Sequence, residues 1–314
     1  MDLTIALISY NTRELLLACL RSIEETSADV AYEVIVVDNA SSDGSAAAVS
    51  DAYPQVRVIA NRGNVGYAAA CNQTAGSARG RYLLLLNSDT VMKPGTLRSM
   101  VDCMDAQPDV GALSCLQRDE QGRAVQSCFP FPSIRDHIVH AEVLPRVIRG
   151  LAGAAPVMDA TQSQDVDWAN GACLMLRKEV FERVGGMDER FFMYFEDVDL
   201  CRRIHQFGYR VRHVADVEIV HLLGKSSERT RGQLNVQWEL SRIRYVEKHF
   251  AQPWRLLMKG WIAGGVFRKL ILILCFRAAD RRQELRTMIA TLRRVWIGYD
   301  DVHRTAVWPA GQRG

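Results

Sequence analysis

The chain has 314 residues, 48% of them hydrophobic and 24% charged, with a formal net charge of +3. This is ordinary globular usage, which excludes a fibre or a disordered tail, and the length allows one large domain or two modest ones. The charge is unevenly held: residues 241–314 carry 15 Lys/Arg against 5 Asp/Glu, a net +10, which leaves 24 against 31, a net −7, for residues 1–240. A basic tail on an acidic body points to an anionic partner, either nucleic acid or a membrane surface.

In chain order, "LTIALIS" (3–9), "EVIVVDN" (33–39), "VRVIA" (56–60), "RYLLLLN" (81–87) and "VGALSC" (110–115) are short β-rich runs. Helix-like stretches lie between them near 12–26, 43–52, 66–78 and 95–106. That alternation predicts βαβ units and a mainly parallel sheet flanked by helices, at least four strands wide. The pattern loosens through the Pro- and Gly-containing span 129–165 and recovers at "VDWANGACLMLRKEVFERVGGMDERFFMYFEDVDLCRRIHQFGYRV". One continuous α/β domain closing near residue 250 is expected, with a separate tail over 251–314. The chain enters a strand within three residues of Met1 with no basic stretch before it, so no secretory signal is expected. Eight cysteines (19, 71, 103, 115, 128, 173, 201 and 275) include no CxxC pair, and they read as reduced core thiols of a cytosolic protein.

In an open α/β sheet, ligands bind outside the carboxyl ends of the strands. The first strand ends at "SYNT" (9–12), the second at "VDNASSDGS" (37–45) and the fourth at Asn87-Ser88-Asp89, so three polar clusters converge on one rim. A run such as Leu83 to Leu86 is a strand buried on both faces, and a carboxylate held just past its end calls for a cation. The turn "NRGNVGYAAACN" (61–72) offers backbone that a ligand can approach closely. No GxGxxG follows the first strand and no GxxxxGK[ST] occurs, which removes the usual anchor of dinucleotide and P-loop readings. Each cluster also has a purely structural reading. Asp38 and Asp43 can shape an Asx turn, Asp89 can cap a turn, and Glu196, Asp197 and Asp199 can be an acidic first helical turn. His221 and Trp168 can simply fill core.

Taken together, "SYNT", "VDNASSDGS", "GNVGYAAACN", "LLLLNSDT", "NGACLMLRKEVFERVGGMDERFFMYFEDVDLCRR" and "HLLGKS" resemble the inverting family 2 glycosyltransferases of the GT-A fold. The closest resemblance is to the bacterial rhamnosyltransferases of cell-surface polysaccharide synthesis, and it covers residues 3 to about 250. It implies a nucleotide-binding half over about 1–117 and an acceptor half over about 118–250. It places a nucleoside-diphosphate sugar against Ser9, Tyr10, Asn11, Asp38, Asn39, Asn64, Gly66 and Asn72. Asn87, Ser88, Asp89, Trp168, Asn170 and Gly171 complete that expected set, with Asp38 on the pyrimidine. It further implies a divalent metal, Mg²⁺ or Mn²⁺, on Asp89 and His221. The family's full Asp-x-Asp is incomplete here, since Asn87 stands at its first position. Asp197 is the expected base, with Glu196 supporting or substituting.

The resemblance favours dTDP-L-rhamnose as donor, with a UDP-hexose as the alternative, and a saccharide or polyprenyl-linked saccharide as acceptor. A sugar-1-phosphate nucleotidyltransferase and an inactive membrane scaffold are the readings from other classes. In the tail, "LLMKGWIAGGVFRKLILILCF" (256–276) is long enough to span a bilayer, but Lys259, Arg268 and Lys269 would each cost roughly 2.5–3.5 kcal/mol near the midplane. Leu285, Met288, Ile289, Leu292, Trp296 and Tyr299 recur on one helical face, and Arg282, Arg286 and Arg293 fall elsewhere. A helix lying on an anionic membrane at the inner face of the cell membrane is therefore expected, the alternative being one docked on the body or in a homodimer. No nucleic-acid partner is expected.

Overall fold

The computed structural model describes residues 1–27, 29–133, 158–222, 231–260 and 264. The chain divides into two compact units, one made of Met1–Phe131, Val157–Phe192 and Glu196–Arg229, the other of Pro132–Pro156, Met193–Phe195 and Thr230–Gly314.

The first unit opens with the expected alternation: β1 (Leu3–Ser9), α1 (Arg13–Thr26), β2 (Tyr32–Asp38), α2 (Ser45–Ala52), β3 (Arg57–Ala60), α3 (Tyr67–Ser77) and β4 (Tyr82–Asn87). The short β5 (Thr90–Val91), α4 (Thr96–Ala106) and β6 (Val110–Arg118) follow. After the small strands β7 (Ala124–Val125), β8 (Cys128–Phe129), β9 (Gln164–Val166) and β10 (Trp168–Ala169), the chain forms β11 (Cys173–Arg177), α5 (Lys178–Arg183), α6 (Glu196–Gln206) and β12 (Arg210–His221).

The main sheet runs in the order β3-β2-β1-β4-β11-β6-β12-β5, with β7 on β6 and β9 on β12. Its first four strands are parallel, as βαβ alternation dictates. Beyond β4 the sheet is mixed. β11 enters antiparallel between β4 and β6, while β12 lies parallel to β6 and antiparallel to β5. The mainly parallel expectation thus holds for one side of the sheet. On the other side the chain returns after a long excursion and fills the slot between β4 and β6 from the opposite direction.

The leucine run explains itself in this setting. Leu84 and Leu86 join the core beneath α1 and α4 with Leu16, Ile23, Met100 and Met104. Leu83 and Leu85 join the opposite core with Ala68 and Cys71 of α3 and Leu200 and Ile204 of α6. Burial on both faces is what a central strand of a three-layer α/β unit requires. The seven cysteines among the described residues are all free thiols, six of them buried; Cys275 lies outside those residues.

In the second unit, α7 (Arg231–His249) carries Trp238 and Tyr245, whose rings lie 5.6 and 5.5 Å from that of Phe195, and Ser241 Oγ donates to the Met193 carbonyl at 2.7 Å. A further helical turn over 254–260 leaves Trp254, Leu256 and Leu257 exposed. Among the described residues no helix is long and apolar enough to cross a membrane, and the helix expected over 285–299 lies outside them.

Candidate functional site

Strand register brings the polar ends together. Ser9 stands beside Asp38, and Ile8 beside Asn87, so β1, β2 and β4 finish flush on one rim. The backbone then turns sharply at Asn11 (φ 55°) and Ala40 (φ 63°), both in the left-handed region that costs a non-glycine residue energy. Asn11 N–H donates to Ser41 Oγ at 2.9 Å, and Asn11 Oδ1 accepts from Ser42 N–H at 2.8 Å, which locks the two loops to each other. Asp43 closes this arrangement by accepting from the backbone of Arg13 and Ser45, so its role is that of a turn and cap residue.

Asp38 divides its carboxylate. Oδ2 accepts the Ser41 N–H at 2.9 Å, the Asx turn anticipated for it, while buried Oδ1 has no hydrogen-bond partner among the described residues. Such an atom is costly unless a ligand supplies the donor. Beside it, Asn39 Nδ2 donates to the Gly66 carbonyl and Asn39 Oδ1 accepts from Asn61 at 2.9 Å. Asn64 accepts from Gly66 N–H. Gly66 has φ of +90°, and a Cβ there would lie 2.6 Å from the Phe192 carbonyl oxygen, so only glycine lets α3 begin this close to its neighbour. Asn72 sits later on α3, where its amide pairs with both backbone groups of Met187 and with Glu189, bracing that turn.

At the end of β4, Ser88 Oγ donates to Thr12 Oγ1, which also meets Ser9 Oγ. Asp89 is 1% exposed. Pairing of Thr90 with His221 and the bond from Leu222 N–H to the Asp89 carbonyl carry the end of β12 to this carboxylate. His221 Nε2 lies 3.4 Å from Asp89 Oδ1, and Nδ1 is 3.0 Å from Gln117 Oε1. Gln117 Nε2 in turn donates to Asn170 Oδ1 at 2.7 Å.

Asn170 begins the turn to the second carboxylate region. Asn87 N–H donates to the Ala172 carbonyl at 3.0 Å, fixing the turn to β4. Gly171 N–H donates to Asp197 Oδ2 at 3.1 Å, and its carbonyl accepts from Tyr67 Oη at 3.1 Å. Asp197 Oδ1 accepts Val198 N–H at 2.8 Å. Burial pushes Asp197 up to about 6, a rise held back by the two backbone donors, Val198 and Gly171. Glu196, buried with Oε2 lacking a partner among the described residues, is pushed well above its ordinary value by burial and then by the Asp197 charge. Asp199 is spent on Arg203 at 2.8 Å. Trp168 has one face stacked on Phe129 at 4.5 Å and its indole N–H on the Pro130 carbonyl.

Of the residues expected from the sequence, those on the β1, β2 and β4 rim cluster at the strand ends, and Asp89, His221, Asn170, Gly171 and Asp197 are linked by the contacts above. Asn72 and Trp168 are engaged with structural partners. Sequence reasoning passed over Gln117, because β6 was read only as far as Cys115 although the strand runs on to Arg118, and it passed over Tyr67, which reads as one more residue of a Gly/Ala-rich turn. A polar side chain directly after the apolar Leu116 was the available signal.

The profile described as glycosyl transferase family 2 matches residues 4–185, more than half of the chain. The chain belongs to this family and is a glycosyltransferase. A second profile, described as the N-terminal domain of galactosyltransferase, matches residues 163–224, which hold Asn170, Asp197 and His221. Among related proteins, the N-acetylglucosaminyl-diphospho-decaprenol L-rhamnosyltransferase of Mycobacterium tuberculosis is 29% identical over 81% of this chain and 87% of its own length. The rhamnosyltransferase WbbL of Escherichia coli is 31% identical over 45% of this chain and 52% of its own. The mannosyltransferase PcManGT of Pyrobaculum calidifontis, solved with GDP-mannose and Mn²⁺, superposes with a TM-score of 0.56 at 20% identity, covering 94% of this chain and 86% of that one. This family 2 transferase shares its α/β fold with such GT-A neighbours, and the resemblance read from the motifs holds.

Proposed function

We propose that the chain moves L-rhamnose from dTDP-L-rhamnose, with inversion, onto a hydroxyl of a polyprenyl-diphosphate-linked saccharide during cell-surface polysaccharide synthesis. The observation that carries this reading is Asp197: a partly exposed carboxylate raised to about 6, joined through Gly171, Asn170, Gln117 and His221 to buried Asp89. A base with that pKa is ionised at neutral pH yet more basic than a surface aspartate, as proton removal from a hydroxyl requires. The rhamnosyltransferase names of the Mycobacterium and Escherichia relatives support the donor, and the first of these names supports the lipid-linked acceptor.

In this reading residues of about 1–117 hold the donor and those of about 118–250 hold the acceptor. Asp38 Oδ1 accepts from the pyrimidine ring, Asn39 and the rim of Ser9, Tyr10 and Asn11 line the nucleoside, and the Asn64–Gly66 turn lies along the donor. Asn87 and Ser88 border the diphosphate. The acceptor oxygen attacks the anomeric carbon, its proton passes to Asp197, and the carbon–oxygen bond to the nucleoside diphosphate breaks with its electron pair on the departing oxygen. Glu196, whose carboxyl burial raises well above its ordinary value, supports Asp197.

Asp89 Oδ1 and His221 Nε2 would hold a divalent ion. Among the described residues no cluster of three or more His, Cys, Asp or Glu is placed to bind one, so two donors fit an ion completed by diphosphate and water. When bound, such an ion offsets negative charge on the leaving group. An imidazole in the set favours Mn²⁺ over Mg²⁺.

Trp254, Leu256 and Leu257, 46%, 64% and 58% exposed, stand at the start of the basic tail, and they support peripheral attachment at the inner face of the membrane. Flotation with anionic liposomes should be lost when the chain is cut before Arg255; equal flotation of both forms refutes attachment by this segment.

A thermal-shift series tests the donor, because a ligand that binds the native state raises Tm. dTDP-L-rhamnose with Mn²⁺ should give the largest shift. A larger shift with a UDP-hexose would change the donor, and release of inorganic diphosphate in place of dTDP would indicate a nucleotidyltransferase.

A further inference from the structure

Gln117 is completely buried, an unusual place for a primary amide, and each side of it meets a different part of the site. Its orientation follows from a backbone group. Ala172 N–H can only donate, and it points at Asn170 Oδ1 at 3.3 Å, so that atom is the carbonyl oxygen of the Asn170 amide. The same oxygen lies 2.7 Å from Gln117, so the Gln117 atom facing it is the NH₂ group. The Gln117 oxygen then faces His221 Nδ1 at 3.0 Å, where only a donor is satisfied. In the neutral ring the proton is therefore on Nδ1, and the lone pair of Nε2 is directed toward Asp89 Oδ1, 3.4 Å away. Two acceptors this close suit a cation placed between them, which both can ligate through oxygen and nitrogen.

We infer that Gln117 is a positioning residue that fixes His221 in the Nδ1–H tautomer, presenting Nε2 with Asp89 to a divalent cation, and that the same amide holds the Asn170–Ala172 turn bonded to Asp197. This rests on the metal-assisted transfer proposed above. A satisfied core amide would need only two partners of any kind. These partners are the ring beside the buried carboxylate and the turn that donates to the base, so one residue sets the geometry of both halves. Partners of this kind typically change metal affinity by about 10–100-fold when removed.

Two measurements on the full chain test it, neither using a sugar donor. Long-range ¹⁵N–¹H spectra of histidine-labelled protein, with His221 assigned by its loss in His221→Ala, should show the Nδ1–H tautomer; the Nε2–H tautomer overturns the inference even if no Gln117 variant folds. Mn²⁺ binding in the presence of dTDP, read from the free-ion electron paramagnetic resonance signal, should weaken about 10–100-fold in Gln117→Met. The loss should match that in His221→Ala, with no further loss in the double variant, since residues acting as one unit are not additive. Unchanged Mn²⁺ affinity in folded Gln117→Met, or losses that add, would overturn it. A wild-type chain that takes up no Mn²⁺ contradicts the proposed function instead.

Discussion

The two carboxylate regions of the site use the same side-chain chemistry in opposite ways. Asp89 is buried beside an imidazole nitrogen 3.4 Å away, in a polar chain that runs through Gln117 to Asn170. Glu196, buried, and Asp197, half-buried, are neighbours at the start of α6, with backbone N–H groups as the partners of Asp197. A carboxylate set beside a ring nitrogen offers two ligands to a cation, whereas desolvation raises the carboxyl pKa of Asp197 and makes a base. Environment, more than residue type, assigns the roles.

The sharpest way to break the contrast is to remove Asp89. Asp89→Ala should abolish the Mn²⁺ dependence of donor binding by calorimetry while the fold, followed by circular dichroism, persists; metal-responsive turnover at the wild-type level would remove Asp89 from the metal site. Asp197→Asn should lower kcat by about 10²–10⁴-fold with donor affinity unchanged, because the amide keeps the size but cannot take the proton. A weakened donor Kd with normal kcat would instead make Asp197 a binding residue.

Glu196→Gln sharpens the contrast from the other side, with an effect on transfer of less than about tenfold, below the usual value of a general base. Its stability has a definite sign. The folded pKa of Glu196 is raised above the unfolded value, so its favourable share is complete below pH of about 4.3 and is lost as pH rises toward the folded pKa. Gln carries no such loss. Melting temperatures should therefore be higher than wild type at pH 8 and converge with it near pH 4; a lower value at pH 8 would mean that the Glu196 carboxylate is charged and paired.

The same contrast governs what could be read from sequence. The Asp89 side lies on β1, β2 and β4, whose apolar runs alternate with helices and end in polar clusters, so the strands, their order of appearance and their polar ends were all legible. The other side was not. β11 runs without a break from Arg177 into the helix beginning at Lys178, and no turn residue marks the change of period. Its insertion between β4 and β6 is a tertiary event that no local pattern encodes. Gln117 escaped for the same reason, since its meaning depends on β12 arriving alongside β6 with His221 at its end. Asp38 was legible only in part: its Asx turn is local, but the unpartnered Oδ1 emerges only when β1 and α3 close around the strand end.

The pH dependence of kcat/KM tests the role of Asp197 most directly. Proton transfer to Asp197 requires its ionised form, so the rate should rise with unit slope as pH increases through about 6, following the raised carboxyl pKa. In Asp197→Asn the residual rate should lose that acid limb altogether. An acid limb unchanged in Asp197→Asn, at whatever rate remains, would assign the titrating group elsewhere and contradict the account.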